Sequence, residues 1–425
     1  MEALTMPVGS TRDRFITDEL VVAIPHQDLV LGELAELADL IVNARIDKSD
    51  PRLGLSLISV VHAQRASGDD EGVALNEVLG RIRERCAERY DKWVPTIGKN
   101  RLLERIDGAG YIGGGGVDGT GYIGGGAVDS AGYIGGGGGG VPTPCAAADL
   151  PEPPAGERGR DVKVAILDTR LYPHPDLAGR YYVEDQDALL HQADKLPYHS
   201  GHATFLAGLI SQRAPMVELE IHNVLSDERA VATAWDVATR IAQFADSDVG
   251  VLNLSLGCYT DDGAAPLLLA RAVELLTPGV VIVAAAGNHG AGTSPGGRLT
   301  AHTPFWPAAL DDVVAVGAHG ADGERATFSP VAPWITLSAP GVDVKSTYLA
   351  GGVLVPGDDG EMVERTFRGY ASWSGTSFAA ATVSGEIAAG TVPGVRGARE
   401  ALNDLLRQSA GQAGADIWAY DQRAG

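Results

Sequence analysis

Two textures of apolar and polar positions divide the chain. In the first hundred residues the apolar stretches are short and interrupted. Residues 20–24 form a brief branched run with strand composition. Val30, Leu34, Leu37 and Ile41 recur at a spacing that predicts one face of a helix. Residues 53–61 alternate and are rich in branched side chains, which predicts a second strand. Asp69 and Asp70 are placed to cap another helix, with Leu75, Val78, Leu79, Ile82 and Cys86 on its buried side. Beyond residue 155 the apolar runs become continuous, at 162–167, 249–256, 280–286 and 313–316. Helical patterns at 230–245 and 266–276 lie among them. Strands that are apolar throughout and alternate with helices predict an α/β fold, a mostly parallel sheet with helices on both faces. The first region predicts a small α+β module.

Glycine separates the two textures. From residue 107 the chain reads DGAGYIGGGGV, DGTGYIGGGAV, DSAGYIGGGGGGV, and the Tyr-Ile pairs Tyr111-Ile112, Tyr122-Ile123 and Tyr133-Ile134 recur every eleven residues. Glycine at this density loses too much backbone entropy on ordering to build a core. The stretch 141–154 continues this linker. The expected organisation is therefore a small α+β domain at 1–106, a Gly-rich linker at 107–154 and a larger domain at 155–425. The repeats read either as a tether or as docking peptides.

Composition narrows the function. The 425 residues are 45% hydrophobic and 21% charged, as for a globular protein with a sizeable core. The net charge of −22 repels phosphate backbones, so nucleic acid is not an expected partner. No apolar run approaches the roughly 18 residues of a membrane helix, and no membrane partner is expected. Three cysteines at spacings that fit no zinc motif argue against a disulfide framework. With no secretory signal at the N-terminus, the expected location is the cytoplasm, leaderless export being the alternative.

The chemistry-bearing residues lie in the larger domain. Asp168 ends the first apolar run, where ligand chemistry gathers in open parallel sheets; alone, it would read as a cap. His202, in GHATFLAGLIS, opens a helix of small residues. Asn288 closes AAAGN after another apolar strand and alone would pass for a turn residue. Ser377, in YASWSGTSFAAATVSG, opens a small-residue helix and alone would read as an N-cap. Together these motifs occur in the order Asp, His, Asn, Ser. The Asp–His–Ser order is one of those in which a charge-stabilised histidine activates a serine.

Over about residues 160–406 the chain resembles the subtilisin family of serine proteases. Asp168-Thr169 resembles the family's Asp motif, and His174-Pro175-Asp176-Leu177 the segment after it. His202 matches its histidine, in His-Ala-Thr rather than His-Gly-Thr. Ser377 matches the serine of Gly-Thr-Ser, and Asn288 the oxyanion asparagine. The resemblance implies that Ser255, Leu256 and Gly257 form the strand that binds extended substrate. It makes Ala285 and Gly287 part of the opposite wall, and Phe305, within TPFWP, the floor of the specificity pocket. It implies a serine endopeptidase acting on protein or peptide substrates through an acyl-enzyme, without a cofactor. The alternatives are a catalytically silent peptide-binding scaffold and a non-peptidase hydrolase; the latter lacks its Gly-x-Ser-x-Gly elbow here.

Departures from the family pattern carry expectations of their own. Arg170 stands where glycine is usual and brings a cation close to Asp168. Phe378, Ala381 and Thr382 replace the usual Met, Pro and His. Asp176 matches a calcium-ligand position, but residues 209–224 leave little room for a calcium loop, so no metal site is expected. An aromatic floor at Phe305 predicts small residues such as Ala or Gly before the cleaved bond. The N-terminal domain reads as an inhibitory pro-domain or a partner-sensing adaptor, and the YIGGG repeats as docking or cleavage sequences for the chain's own active site or for that of a sister molecule.

Overall fold

The computed structural model describes residues 13–63, 71–106, 140–183, 188–190, 195–227, 230–290, 299–357, 361–410 and 416–420. They divide into two compact units, Met1–Leu103 with Thr233–Gln243 and Cys258–Leu276, and the rest of the chain from Glu104 onward.

In the first unit, strands Phe15–Ala23, Leu55–His62 and Ile41–Asp50 pair antiparallel, and Ile97–Arg105 pairs antiparallel on the other side of Phe15–Ala23. Helices Gln27–Ala35 and Glu71–Arg89 contribute to the core. Leu75, Val78, Leu79, Ile82 and Cys86 are all buried, as their spacing predicts. The predicted cap at Asp69 and Asp70 lies outside the described residues. The first helix ends sooner than its spacing predicts. Leu37 lies beyond it and Ile41 opens a strand, although Val30, Leu34, Leu37 and Ile41 all reach one core. Apolar spacing reports the buried side; here single-turn bonds from Glu36 and Leu37 to Glu33 and Leu34 close the helix. Glu33 is buried, its charge met by Arg85 at 2.7 Å and Arg89 at 2.5 Å. Helices Ala234–Gln243 and Leu267–Leu276 also belong to this unit, where Asn100 accepts the Trp235 amide at 2.9 Å.

The second unit is built on an eight-stranded sheet. From one edge its strands are Trp418–Ala419, Leu337–Pro340, Val313–His319, Val281–Ala285, Val249–Leu254, Lys163–Asp168, Glu218–Asn223 and Tyr181–Val183. Every pairing is parallel except the first. This is the parallel sheet that the continuous apolar runs predict. The strand order reverses between Lys163–Asp168 and Val249–Leu254, so a crevice opens at their carboxyl ends. Asp168 and Ser255 stand at that switch point.

Helices His202–Arg213 and Thr376–Gly390 cross closely because their facing residues are small. A Cβ on Gly385 would come within 2.9 Å of the Ile210 carbonyl. A hairpin that the apolar pattern does not reveal, Val344–Pro356 with Met362–Trp373, packs on the first of these helices. Ser346 and Thr347 hydroxyls donate to the carbonyls of Phe205 and Thr204 at 2.7 and 2.8 Å. Part of the expected linker is structured. Thr143 and Pro144 pair with Ser372 and Ala371 at the hairpin's edge, because an extended Pro-containing segment can still add to an edge strand.

Candidate active site

Asp168 is the last residue of its strand and is fully buried. Its carboxylate accepts from the Thr169 amide at 2.8 Å and the Thr169 hydroxyl at 3.1 Å. His202, the first residue of its helix, places Nδ1 2.8 Å from Asp168 Oδ1 and 2.9 Å from Oδ2. That contact fixes the proton on Nδ1 and leaves Nε2 as the bare nitrogen. Burial lowers the His202 pKa below its ordinary value; Asp168 opposes the shift and Arg105 adds to it. The imidazole is therefore neutral near pH 7 and able to accept a proton.

Ser377 is the second residue of the Thr376–Gly390 helix, whose N-cap is Gly375. It is not the N-cap itself. Its hydroxyl points to the backbone carbonyl of Ile106 at 3.4 Å, and Nε2 of His202 has no hydrogen-bond partner among the described residues. Asn288 lies beside the same helix start. Its Oδ1 accepts from the Thr376 amide and hydroxyl, both at 3.0 Å, which turns its donor nitrogen to the opposite side of the amide. Thr376 Oγ1 in turn accepts from the Gly287 amide at 3.1 Å.

Residues 104–106, which belong to the second unit, run through this site as an extended strand. Arg105 and Glu104 pair antiparallel with Leu256 and Gly257. Ile106 donates its amide to the Ser255 carbonyl at 3.2 Å, and Arg105 donates to Ala230 at 3.1 Å on the other side. Ser255, Leu256 and Gly257 thus hold an extended peptide, and its direction brings the Ile106 carbonyl to Ser377. The remaining predicted pocket residues gather nearby. A Cβ on Gly257 would stand 2.5 Å from the Phe305 ring, and one on Gly287, where φ is +94°, would stand 3.3 Å from it. Ala285 ends the adjoining strand and is buried. The residue brought to Ser377 is a buried isoleucine, not the Gly or Ala that an aromatic floor predicts.

One side chain near Asp168 differs from expectation, and two others carry little signal in the sequence. Arg170 turns to Asp227, 3.2 Å away, rather than toward Asp168. The buried cation whose charge reaches Asp168 is instead Arg105, 6% exposed. Trp373 stacks edge-on to the His202 ring at 5.6 Å, and Phe378 lies at the same distance on a tilted plane. Sequence reasoning passed over Trp373, although it sits four residues before Ser377. It also passed over Arg105, whose one signal is its place just before the glycine-rich repeats. Asp176 accepts from the Tyr370 hydroxyl at 2.9 Å. Among the described residues no group of three His, Cys, Asp or Glu side chains is placed to hold a metal.

A buried Asp–His pair, a serine at a helix start and an asparagine beside it define a serine-hydrolase arrangement on a parallel sheet. The profile of the subtilase family (peptidase S8) matches residues 159–425, and the chain belongs to that family. It is 32% identical over 242 residues to the thermophilic serine proteinase of Bacillus sp. strain AK1, covering 54% of this chain and 51% of that one. To subtilisin NAT of Bacillus subtilis subsp. natto it is 31% identical over 245 residues, 55% of this chain and 56% of that one. The chain thus spans about half the length of these relatives. Among solved structures, a cold adapted subtilisin-like serine proteinase aligns with a TM-score of 0.47 at 26% identity, over 62% of this chain and 86% of that one.

Proposed function

We propose that this chain is a serine endopeptidase whose own residues 104–106 occupy its cleft. Ser377 Oγ attacks the carbonyl carbon of an extended peptide while His202 Nε2 accepts its proton. The proton then passes to the leaving amine, and water resolves the acyl-enzyme by the reverse steps. Asp168 holds the imidazole in the Nδ1–H tautomer and stabilises its cationic form. Asn288 Nδ2 and the Ser377 amide, at the positive end of a helix, donate to the oxyanion. Ser255, Leu256 and Gly257 supply the backbone wall; Ala285, Gly287 and Phe305 shape the pocket for the residue before the cleaved bond. Ile106 in the cleft favours branched aliphatic residues there. The observation that carries the reading is the placement of the Ile106 carbonyl at Ser377, beside the Asp168–His202 pair.

The substrates are proteins or peptides in extended form, bound as an added strand. The domain before the repeats is a pro-domain in this account, since its last residues lead into the occupied cleft. Casein hydrolysis by the full chain, absent in a folded Ser377→Ala variant, is the expected result. Equal hydrolysis by both would assign the nucleophile elsewhere, and none by either would favour a silent peptide-binding scaffold.

A further inference from the structure

The backbone bonds that hold residues 104–106 are blind to sequence: Ser255, Gly257 and Ala230 would bond any extended peptide in the same way. Selection must come from what surrounds the side chains, and the surroundings of Arg105 are unusual. The guanidinium carbon lies 5.3 Å from the centroid of the Tyr198 ring and 5.8 Å from that of Trp373. The two rings are 6.1 Å apart and inclined by 61°. Tyr198 also shares a side-chain hydrogen bond with Arg105. Its own backbone carbonyl is held by the hydroxyl of the fully buried Tyr348. His199, 5.7 Å from the Tyr198 ring, is held neutral to about pH 4 by burial and by the Arg105 charge. Asp168 provides the opposing charge. A buried arginine is thus met by two aromatic faces and by the opposing charge of Asp168.

We propose that Tyr198 and Trp373 form a subsite selective for arginine at the second residue before the cleaved bond. The enzyme's preferred substrates are then peptides carrying Arg followed by a branched aliphatic residue. This rests on the peptidase reading above and names its substrate class. Burial works against the Arg105 charge, and Tyr198 and Asp168 oppose that cost; a flat, weakly hydrated guanidinium that stacks on aromatic faces loses less on burial than a compact ammonium. Glutamine and alanine offer no charge to the ring faces or to Asp168.

The chain carries its own comparison. Ile106-Asp107, Val117-Asp118 and Val128-Asp129 each set a β-branched residue before aspartate at eleven-residue intervals, but the preceding residue is Arg105, Gly116 and Ala127 in turn. Only the first presents a guanidinium to the subsite. Cleavage at Ile106-Asp107 and not at the other two is therefore expected.

The test uses the full chain, with casein hydrolysis as the control. Quenched-fluorescence peptides containing Glu-Arg-Ile-Asp-Gly are compared with versions bearing Lys, Gln or Ala in place of Arg. The expected kcat/KM for Arg is at least tenfold above Gln and Ala and severalfold above Lys. Tyr198→Leu is expected to bring the Arg-to-Ala ratio toward one. In the chain itself, Gly116→Arg is expected to create a cut at Val117-Asp118, read by intact mass. Casein hydrolysis with equal rates on the Arg and Ala peptides, or no new cut in the Gly116→Arg chain, overturns the subsite and leaves the peptidase reading standing. No hydrolysis of casein or of any peptide overturns both.

Discussion

The two halves of the site are built differently. On one side, Asp168 and His202 are fixed to each other and to Thr169 by side-chain bonds of 2.8–3.1 Å, entirely within the fold. On the other, the Ser377 hydroxyl faces the Ile106 carbonyl at 3.4 Å, a group that arrives with the occupying segment. The first half is an Asp–His pair whose geometry is set by the fold alone. In the second half the serine hydroxyl donates to the carbonyl oxygen of the occupying segment, and His202 Nε2 has no hydrogen-bond partner among the described residues. A base can be tuned by burial and charge alone, but a nucleophile needs its electrophile before its position means anything. The difference teaches that the segment 104–106 is part of the site's definition. Arg105 links the halves, because its charge touches His202 while its neighbour presents the carbonyl.

Breaking the base should have the largest effect. Asp168→Asn keeps the shape but favours the wrong imidazole tautomer, and is expected to lower kcat by about 10⁴, a scale known from serine proteases rather than derived from this chain. Steady-state hydrolysis of a peptide amide checks it; a loss under tenfold would mean that the carboxylate does not orient His202. On the other half, Asn288→Ala is expected to lower kcat by about 10²–10³ with little change in KM, again on the scale of subtilisin itself. A KM effect alone would make Asn288 a binding residue. Thr376→Val removes the hydroxyl that holds Asn288 Oδ1 and leaves the amide bond in place. A smaller loss follows, on the order of tenfold or less, in kcat rather than KM. A variant with Asn288→Ala and Thr376→Val together should lose no more kcat than Asn288→Ala alone, any added effect on KM reporting the Gly287 amide that also loses its acceptor.

The pH dependence sharpens the same contrast. His199 is pushed down to about 4 from an ordinary 6.5, chiefly by burial and then by Arg105. Between those values the unfolded chain binds a proton that the folded chain refuses. Stability from this group is therefore fully present above about pH 6.5 and lost as pH falls toward 4. His202 shifts in the same direction. The melting temperature of the Ser377→Ala chain is expected to fall across that window, and His199→Asn to flatten part of the decline. An identical slope in both chains would remove His199 from the explanation.

Much of this was legible in the sequence, for local reasons. Parallel strands buried on both faces must be apolar throughout, so four of the central strands stand out, and Asp168 and Asn288 follow such runs directly. His202 and Ser377 open helices of small residues because those helices pack tightly, as Gly385 does against Arg213 and Ile210. Strand Ile41–Asp50 was not legible: most of its residues face solvent, and only its pairing with Leu55–His62 makes it a strand. The Met362–Trp373 strand is likewise mixed in character and stabilised by its partner. Arg105 and Ile106 escaped for a related reason. Nothing in Glu-Arg-Ile announces that it will pair with Leu256 and Gly257, some 150 residues on, and the Arg170 that drew attention instead satisfies its charge with Asp227.

The central claim is that Ser377 is a nucleophile activated by the Asp168–His202 pair. Labelling the folded full chain with a fluorophosphonate and locating the adduct by peptide mass tests it most directly. A single adduct on Ser377, formed at least a hundredfold more slowly in Asp168→Asn, is the expected result. No adduct on the folded wild-type chain after prolonged exposure, or an adduct on a different serine, would contradict it.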